Sequence, residues 1–184
     1  MTQRKGKGTI YQLHIALNGI RPPIWRRILV PGNTKLSSLS EILLDTMGWV
    51  GYHLHQYVVN GVYYGEPSDD DFFDVEDESK VTLQWIAPSV GSKFKYEYDF
   101  GDSWEHTVKV EAILEPEEGT TYPVCIKGKR ACPPEDIGGV WGYAELLETI
   151  SDPDNEEAEE MLDWVGDNFD PEAFDLEEIN SRIQ

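Results

Sequence analysis

"KFKYEYDFGDSWEHTVKVEAIL", residues 93–114, decides how the rest of the chain is read. Tyr96, Tyr98 and Phe100 share one parity, as in a strand with an aromatic face. Val108, Val110 and Ala112 then alternate with Lys109, Glu111 and Ile113, which makes this second run the longest strand of the chain. Gly101 breaks the pattern between them. "DFGDSW" therefore reads as a tight connection between two antiparallel strands. Short carboxylates such as Asp99 and Asp102 suit it because they accept backbone N–H bonds in turns. Gly101 supplies a positive φ if one is needed. Beyond the turn, Asp102, Trp104 and His106 share a face, and a turn requires neither Trp104 nor His106. Over a fully extended stretch Asp102 and His106 stand about 13 Å apart, too far to ligate one ion directly.

The segments before this hairpin carry their own periods. In "TIYQLHIALNGI" the odd positions Tyr11, Leu13, Ile15 and Leu17 form the cleaner apolar face, so His14 is expected at the surface. "NGIRPP" is a turn, and "IWRRILVP" completes an antiparallel pair. "LSSLSEILLDTMGW" changes to a helical period through Leu36, Leu39, Leu43 and Met47, with Ile42 beside them. Ser38 and Glu41 have capping-box spacing, and Gly48 suits the C′ position. "YHLHQYVVNG" reads as a strand, "VYYGEPSDDDFFDVEDES" as a long acidic loop, and "KVTLQWIAP" as another strand.

After the long strand, a Pro- and Gly-rich loop runs from Glu115 to about Gly142. The remainder is helical. "YAELLETI" is short. Asp152-Pro153 and Asp170-Pro171 each have the form of an N-cap with Pro at the first helical position. They precede the stripes Ala158, Met161, Leu162, Val165 and Phe174, Leu176, Ile179, Ile183. The order predicts an α+β protein: an antiparallel β-sheet core, one N-terminal-half helix packed on it and a C-terminal helical segment. Residues 1–8 read as a flexible basic tail, and residues 9–184 as one domain whose acidic helical tail starts at about 143.

Composition narrows the function classes. The chain has 184 residues and is 40% hydrophobic, enough to bury a core. No apolar run approaches the roughly 20 residues that span a bilayer. The N-terminus lacks the apolar stretch of a secretory signal, so a cytoplasmic location is expected. Cys125 and Cys132 do not make a disulfide framework; they read as free thiols, a redox pair or part of a metal site. The net charge of −20 is uneven, with fifteen acids against one base, Arg182, from Glu145 onward. Such a balance disfavours non-specific binding to nucleic acid or anionic membrane. Small basic spots remain at Arg4, Lys5 and Lys7, at Arg26 and Arg27, and at Lys127, Lys129 and Arg130.

Three stretches carry candidate chemistry. In "HLH", His53 and His55 lie on one face of a strand, about 7 Å apart, and can share a metal. Zinc takes three or four protein ligands, so His106, Asp102, Cys125 or Cys132 must complete such a site. Otherwise one His belongs to the core and the other borders a cleft. The second stretch is the turn with Asp99, Asp102, Trp104, Glu105 and His106. The third is "RACPPEDIGG", 130–139, stiff at its prolines and free at its glycines. It reads either as a recognition loop presenting Glu135 and Asp136, or as a structural crossover with Asp136 bonded to backbone. The "DFG" triplet has none of the companion segments of a protein kinase, "GKG" at 6–8 is not a phosphate loop, and no G-x-S-x-G is present.

"PPIWRRILVP", "MGWVGYHLHQY", "YDFGDSWEH" and "ACPPEDIGGVWGY", in this order, resemble the plasmid pRiA4b open-reading-frame-three-like family, also labelled an insertion-element passenger protein. The resemblance covers roughly residues 9–180. It implies a small α+β protein linked with plasmids and mobile elements, without an assigned biochemical role. A resolvase label that travels with the family finds no support here, because the chain is acidic and lacks an arginine-rich, serine-nucleophile organisation. Relatives with a further Cys at the position of Ile137 imply a metal site with Cys125 and Cys132; Ile137 weakens it in this chain.

Three functions follow as expectations. The first is a binding or accessory module for a protein or small molecule. Its cleft would carry Trp25, Trp49, Trp104 and Trp141 near His53, His55, Asp99, Asp102, Glu105, His106, Glu135 and Asp136. The second is a metal-assisted hydrolase with His53, His55 and His106 as ligands or bases, Asp102 and Glu105 orienting them, and a divalent ion such as zinc as cofactor. The third is weak nucleic-acid binding through Arg26, Arg27, Lys127, Lys129 and Arg130. In the first two, Trp104 and His106 are aimed at the same cleft as His53 and His55.

Overall fold

The computed structural model describes residues 8–68, 74–152, 154–166 and 168–184. The basic tail therefore falls outside the described residues except for Gly8, as do Pro153 and the centre of the acidic stretch.

Eight strands form one sheet. In chain order they are β1 Ile10–Leu17, β2 Trp25–Pro31, β3 His55–Val59, β4 Val62–Gly65, β5 Val75–Asp77, β6 Lys93–Tyr98, β7 Trp104–Leu114 and β8 Val124–Lys129. Their spatial order is β5-β4-β3-β6-β7-β1-β2-β8, antiparallel throughout except for β4 and β5. The helices are α1 Leu36–Met47, the one-turn α2 Leu83–Ile86, α3 Gly139–Ser151, α4 Ala158–Val165 and α5 Leu176–Ile183. The protein is α+β, with α1 laid on the sheet.

Alternation dictates which face is covered. Leu13, Ile15, Ile28, Val30, Tyr57, Tyr96, Trp104, Val108 and Val110 are buried, and their sequence neighbours are more exposed. His14 is half-exposed on the other face, stacked on Trp25. Polar tips of the inner face reach α1: Tyr57 donates to the Leu36 carbonyl, and the Tyr96 hydroxyl bonds Ser40 Oγ at 2.8 Å. Buried polar groups need such partners, so these bonds fix where α1 can lie.

Several expectations are corrected. The Ser38–Glu41 box caps nothing: α1 begins at Leu36, whose N–H donates to the Val81 carbonyl, and Ser40 is buried. Gly48 does end the helix in a left-handed conformation. The acidic loop contains β4 and β5, because Asn60-Gly61 makes a turn at positive φ. "KVTLQWIAP" holds α2 rather than a strand, and the Pro/Gly-rich loop contains β8. The first tail helix begins four residues early, at Gly139. The Asp-Pro starts are displaced as well. Asp152 and Asp170 accept from the N–H groups of Asp154 and Glu172 in turns; α4 begins at Ala158, and α5 is capped by Asp175. In the β6–β7 turn the positive φ falls on Asp99 and Ser103, not on Gly101. Among the described residues, no helix is long and apolar enough to cross a membrane.

Candidate functional site

Three connections meet at one end of the sheet: the segment after α1, the β6–β7 turn and the 131–139 loop. Backbone and side-chain bonds stitch them together. Trp49 Nε1 donates to the Pro133 carbonyl at 2.9 Å, and the Val50 N–H donates to Glu135 at 3.1 Å. Tyr98 donates its hydroxyl to the other Glu135 oxygen at 2.5 Å. Burial, and then that acceptor, hold the Tyr98 phenol above its ordinary pKa. The Gly138 N–H donates to Asp102 at 3.1 Å. Gly139 sits so close that a Cβ there would lie 2.4 Å from the Asp102 carbonyl oxygen.

This stitching brings His53, Asp99 and Asp136 to one corner. His53 Nε2 stands 3.0 Å from Asp136 Oδ1 and 3.7 Å from Asp99 Oδ2. One donor atom from each residue lies within 4.8 Å of the others, the spacing of a metal-ligand set. Asp99 is buried with its carboxylate accepting the Gly101 N–H, His53 is half-buried against Tyr98, and Asp136 is exposed. Both aspartates hold left-handed backbone conformations, which Asp tolerates better than most residues. Beside Asp136 opens a cavity of about 420 Å³. Ile137, Met161 and Trp164 line it together with the carboxylates of Asp136, Glu157 and Glu160.

The other sequence candidates are not brought here. His53 precedes β3 instead of lying in it, so the two histidines of "HLH" do not share a face. His55 Nε2 is 2.9 Å from Glu78, a partner that sequence spacing does not reveal. His106 is buried in the core between Trp49 and Tyr96. Its Nδ1 donates to the Tyr96 carbonyl at 3.3 Å, and burial pulls its pKa down to about 4. Thus His53, His55 and His106 do not converge on one ion, and Trp104 and His106 are core residues rather than cleft walls. Glu105 pairs with Lys95 on the surface. Asp102 and Glu135 hold loops in place.

The four tryptophans do not line a common cleft. Trp49 and Trp104 pack together in the core, Trp25 stacks on His14, and Trp141 is exposed. The thiols of Cys125 and Cys132 are free, and neither joins a metal-ligand set among the described residues. The basic spots shrink too: Arg26 and Arg130 are buried, and Arg27 is paired with Glu111. The residues that the sequence reading missed are Glu157, Glu160, Met161 and Trp164. Only their helical spacing pointed to a shared face.

The architecture is that of a small α+β protein whose loops gather acidic and histidine side chains at one sheet end. The model of the plasmid pRiA4b ORF-3-like protein family matches residues 9–178, and the chain belongs to that family. It is 36% identical over 177 residues to the uncharacterised protein y4hQ of Sinorhizobium fredii, covering 95% of this chain and 91% of that one. It is also similar to the crystal structure of MM3350, a protein of unknown function from Methanosarcina mazei. That match has a TM-score of 0.85 and 40% identity, over 92% of this chain and 97% of that one.

Proposed function

We propose that the protein is a binding module for a positively charged guest, in its simplest form a divalent metal ion, taken at the His53–Asp99–Asp136 corner. One observation carries this reading: donor atoms from three separate loops lie within 4.8 Å of one another. Two carboxylates and an imidazole at that spacing supply the oxygen and nitrogen donors of a three-ligand metal site. The donor set suits an ion that accepts both oxygen and nitrogen, such as manganese or zinc. The acidic cavity beside Asp136, with Trp164 on its wall, supports a guest that extends beyond the ion and carries positive charge of its own.

A second reading, a metal-assisted hydrolase, rests on the same corner. Three protein ligands leave coordination positions for water and substrate, as catalytic zinc sites do. His53 would be a ligand in that case, and His55 and His106 would have no part in the chemistry.

Isothermal titration of the purified protein with manganese and with zinc tests both readings. The expected result is one ion per chain, lost in His53→Ala and Asp136→Asn, with the circular dichroism of both variants unchanged. Binding without turnover of activated phosphate and carboxylate esters leaves the module; turnover that follows metal loading selects the hydrolase. No saturable heat with either ion overturns both.

A further inference from the structure

Arg26 is a buried cation without an acid. It sits on β2 at a position whose same-face neighbours are Ile28 and Val30, and it is 2% exposed. Its Nε–H donates to the Thr46 carbonyl at 3.3 Å, and Nη1 donates to the carbonyls of Trp25 and Lys129 at 2.9 and 3.0 Å. The Phe174 ring lies 5.1 Å from the guanidinium carbon. Among the described residues, no carboxylate pairs with Arg26 and no hydrogen bond uses Nη2. Guanidinium stays protonated in proteins, and buried charges are ordinarily paired.

Nearby groups do not supply the missing charge. Burial pushes the Cys132 thiol up to about 12 and raises that of Cys125, so neither is a thiolate. Arg26 lines a cavity of about 610 Å³ between the end of α1, the 131–135 segment and α4 and α5. Three acids border that cavity, and each is engaged elsewhere. Glu135 accepts from Tyr98 and Val50, Asp175 caps α5, and Glu178 pairs with Arg182 at 2.6 Å. The side chains of Trp49, Val165, Phe169 and Ile179 give part of the wall an apolar surface. Phe174 is seated by Gly128, where a Cβ would lie 2.4 Å from its ring; Gly128 is also the cross-strand partner of Arg26.

We infer that this cavity is a second binding site, for a small organic monocarboxylate with an apolar body, whose carboxylate meets Arg26. A planar carboxylate accepts well from a guanidinium edge. The body lies against the apolar side chains of the wall, and Arg182, paired with Glu178, borders the cavity. The acids bordering the cavity exclude multiply charged phosphates. The site does not depend on the His53 corner or on the metal reading.

Titration calorimetry and thermal shift with phenylacetate, octanoate and inorganic phosphate test it. Wild-type protein is expected to bind at least one of the two carboxylates with millimolar or better affinity and to melt higher in its presence. Arg26→Met, which replaces the buried charge with an apolar side chain of similar length, is expected to weaken that binding about tenfold or more. Arg182→Gln, at a part-exposed side chain whose charge is already paired with Glu178, is expected to change it by less than about threefold. The proposal is overturned if neither carboxylate binds wild type at millimolar concentration, or if Arg26→Met binds as tightly as wild type. Phosphate binding as tightly as the carboxylates overturns the assignment of the ligand class.

Discussion

His53 Nε2 and Asp136 Oδ1 face each other at 3.0 Å across two different loops, and neither loop holds that geometry alone. Asp136 is positioned from outside by Asp102, whose carboxylate accepts the Gly138 N–H. Asp102→Ala removes this bond without touching any of the three corner side chains. The expected result is a stability loss of about 1 kcal/mol in urea unfolding and several-fold weaker metal binding, because the loop bearing Asp136 is freer. Unchanged affinity would show that the loop is held by Glu135 and Trp49 alone.

Gly139 is a sharper probe of the same junction. Its φ of +67° disfavours a side chain, and the clash with the Asp102 carbonyl is against backbone that cannot swing aside. Gly139→Ala is expected to cost about 3 kcal/mol, the sum of left-handed strain and a forced shift of one loop. Gly119 is the control: its φ is +83°, but no atom lies within 4 Å of a Cβ there. Gly119→Ala should cost about 1 kcal/mol. Equal losses at the two positions would refute the close approach.

His106 gives the fold a pH dependence of known sign. Its folded pKa is held near 4 by burial, below its ordinary value of 6.5. Unfolded chains take up a proton that folded chains refuse, so stability falls as pH drops from about 6.5 towards 4, by about 3 kcal/mol over the whole window. Burial also lowers the His14 pKa and adds to the slope. Glu111, held at about 2 by Arg27, loses its contribution only below its ordinary value of 4.5, in a separate window. Urea titrations at about pH 7, 6 and 5 should show the decline, and His106→Gln should flatten most of it. A flat wild-type profile between those values excludes a buried neutral imidazole.

The sequence was legible where one period ran long enough to be counted. β6, β7, β1 and β2 alternate over at least six residues each, and α1 repeats its leucines over three turns. β4, β5 and β8 are short or polar at their outward positions, and β8 pairs with β2, nearly a hundred residues earlier in the chain. α2 is four residues long, too short for a helical period to emerge. Both Asp-Pro signals were real turn chemistry, but the aspartates cap turns that lead into the helices. At the site, Asp99 and Asp136 were visible as candidates because they punctuate loops. The separation of His53 from His55 was not visible, since Glu78 and the loop before β3 decide it. The buried state of Arg26 and Arg130 was hidden for the same reason: a charge in a strand reads as surface until its neighbours are known.

Those two arginines are expected to respond differently to mutation. Arg130 is 3% exposed, but its Nε donates to Glu172 at 2.7 Å, and Nη1 donates to the Pro22 carbonyl. Glu172→Gln keeps an acceptor and removes the charge; Glu172→Ala removes both. Because Glu172 is itself more than half exposed, water repays part of the loss. About 1 kcal/mol is expected for Gln and about 2 kcal/mol for Ala in urea unfolding. Arg26 has no acid to lose, so Arg26→Met trades desolvation of an unpaired charge against three carbonyl bonds, and a change under about 1 kcal/mol is expected. A loss at Arg26→Met larger than that at Glu172→Ala would mean that the carbonyl cradle alone satisfies the guanidinium. The case for an anion in the Arg26 cavity would then lose its physical ground.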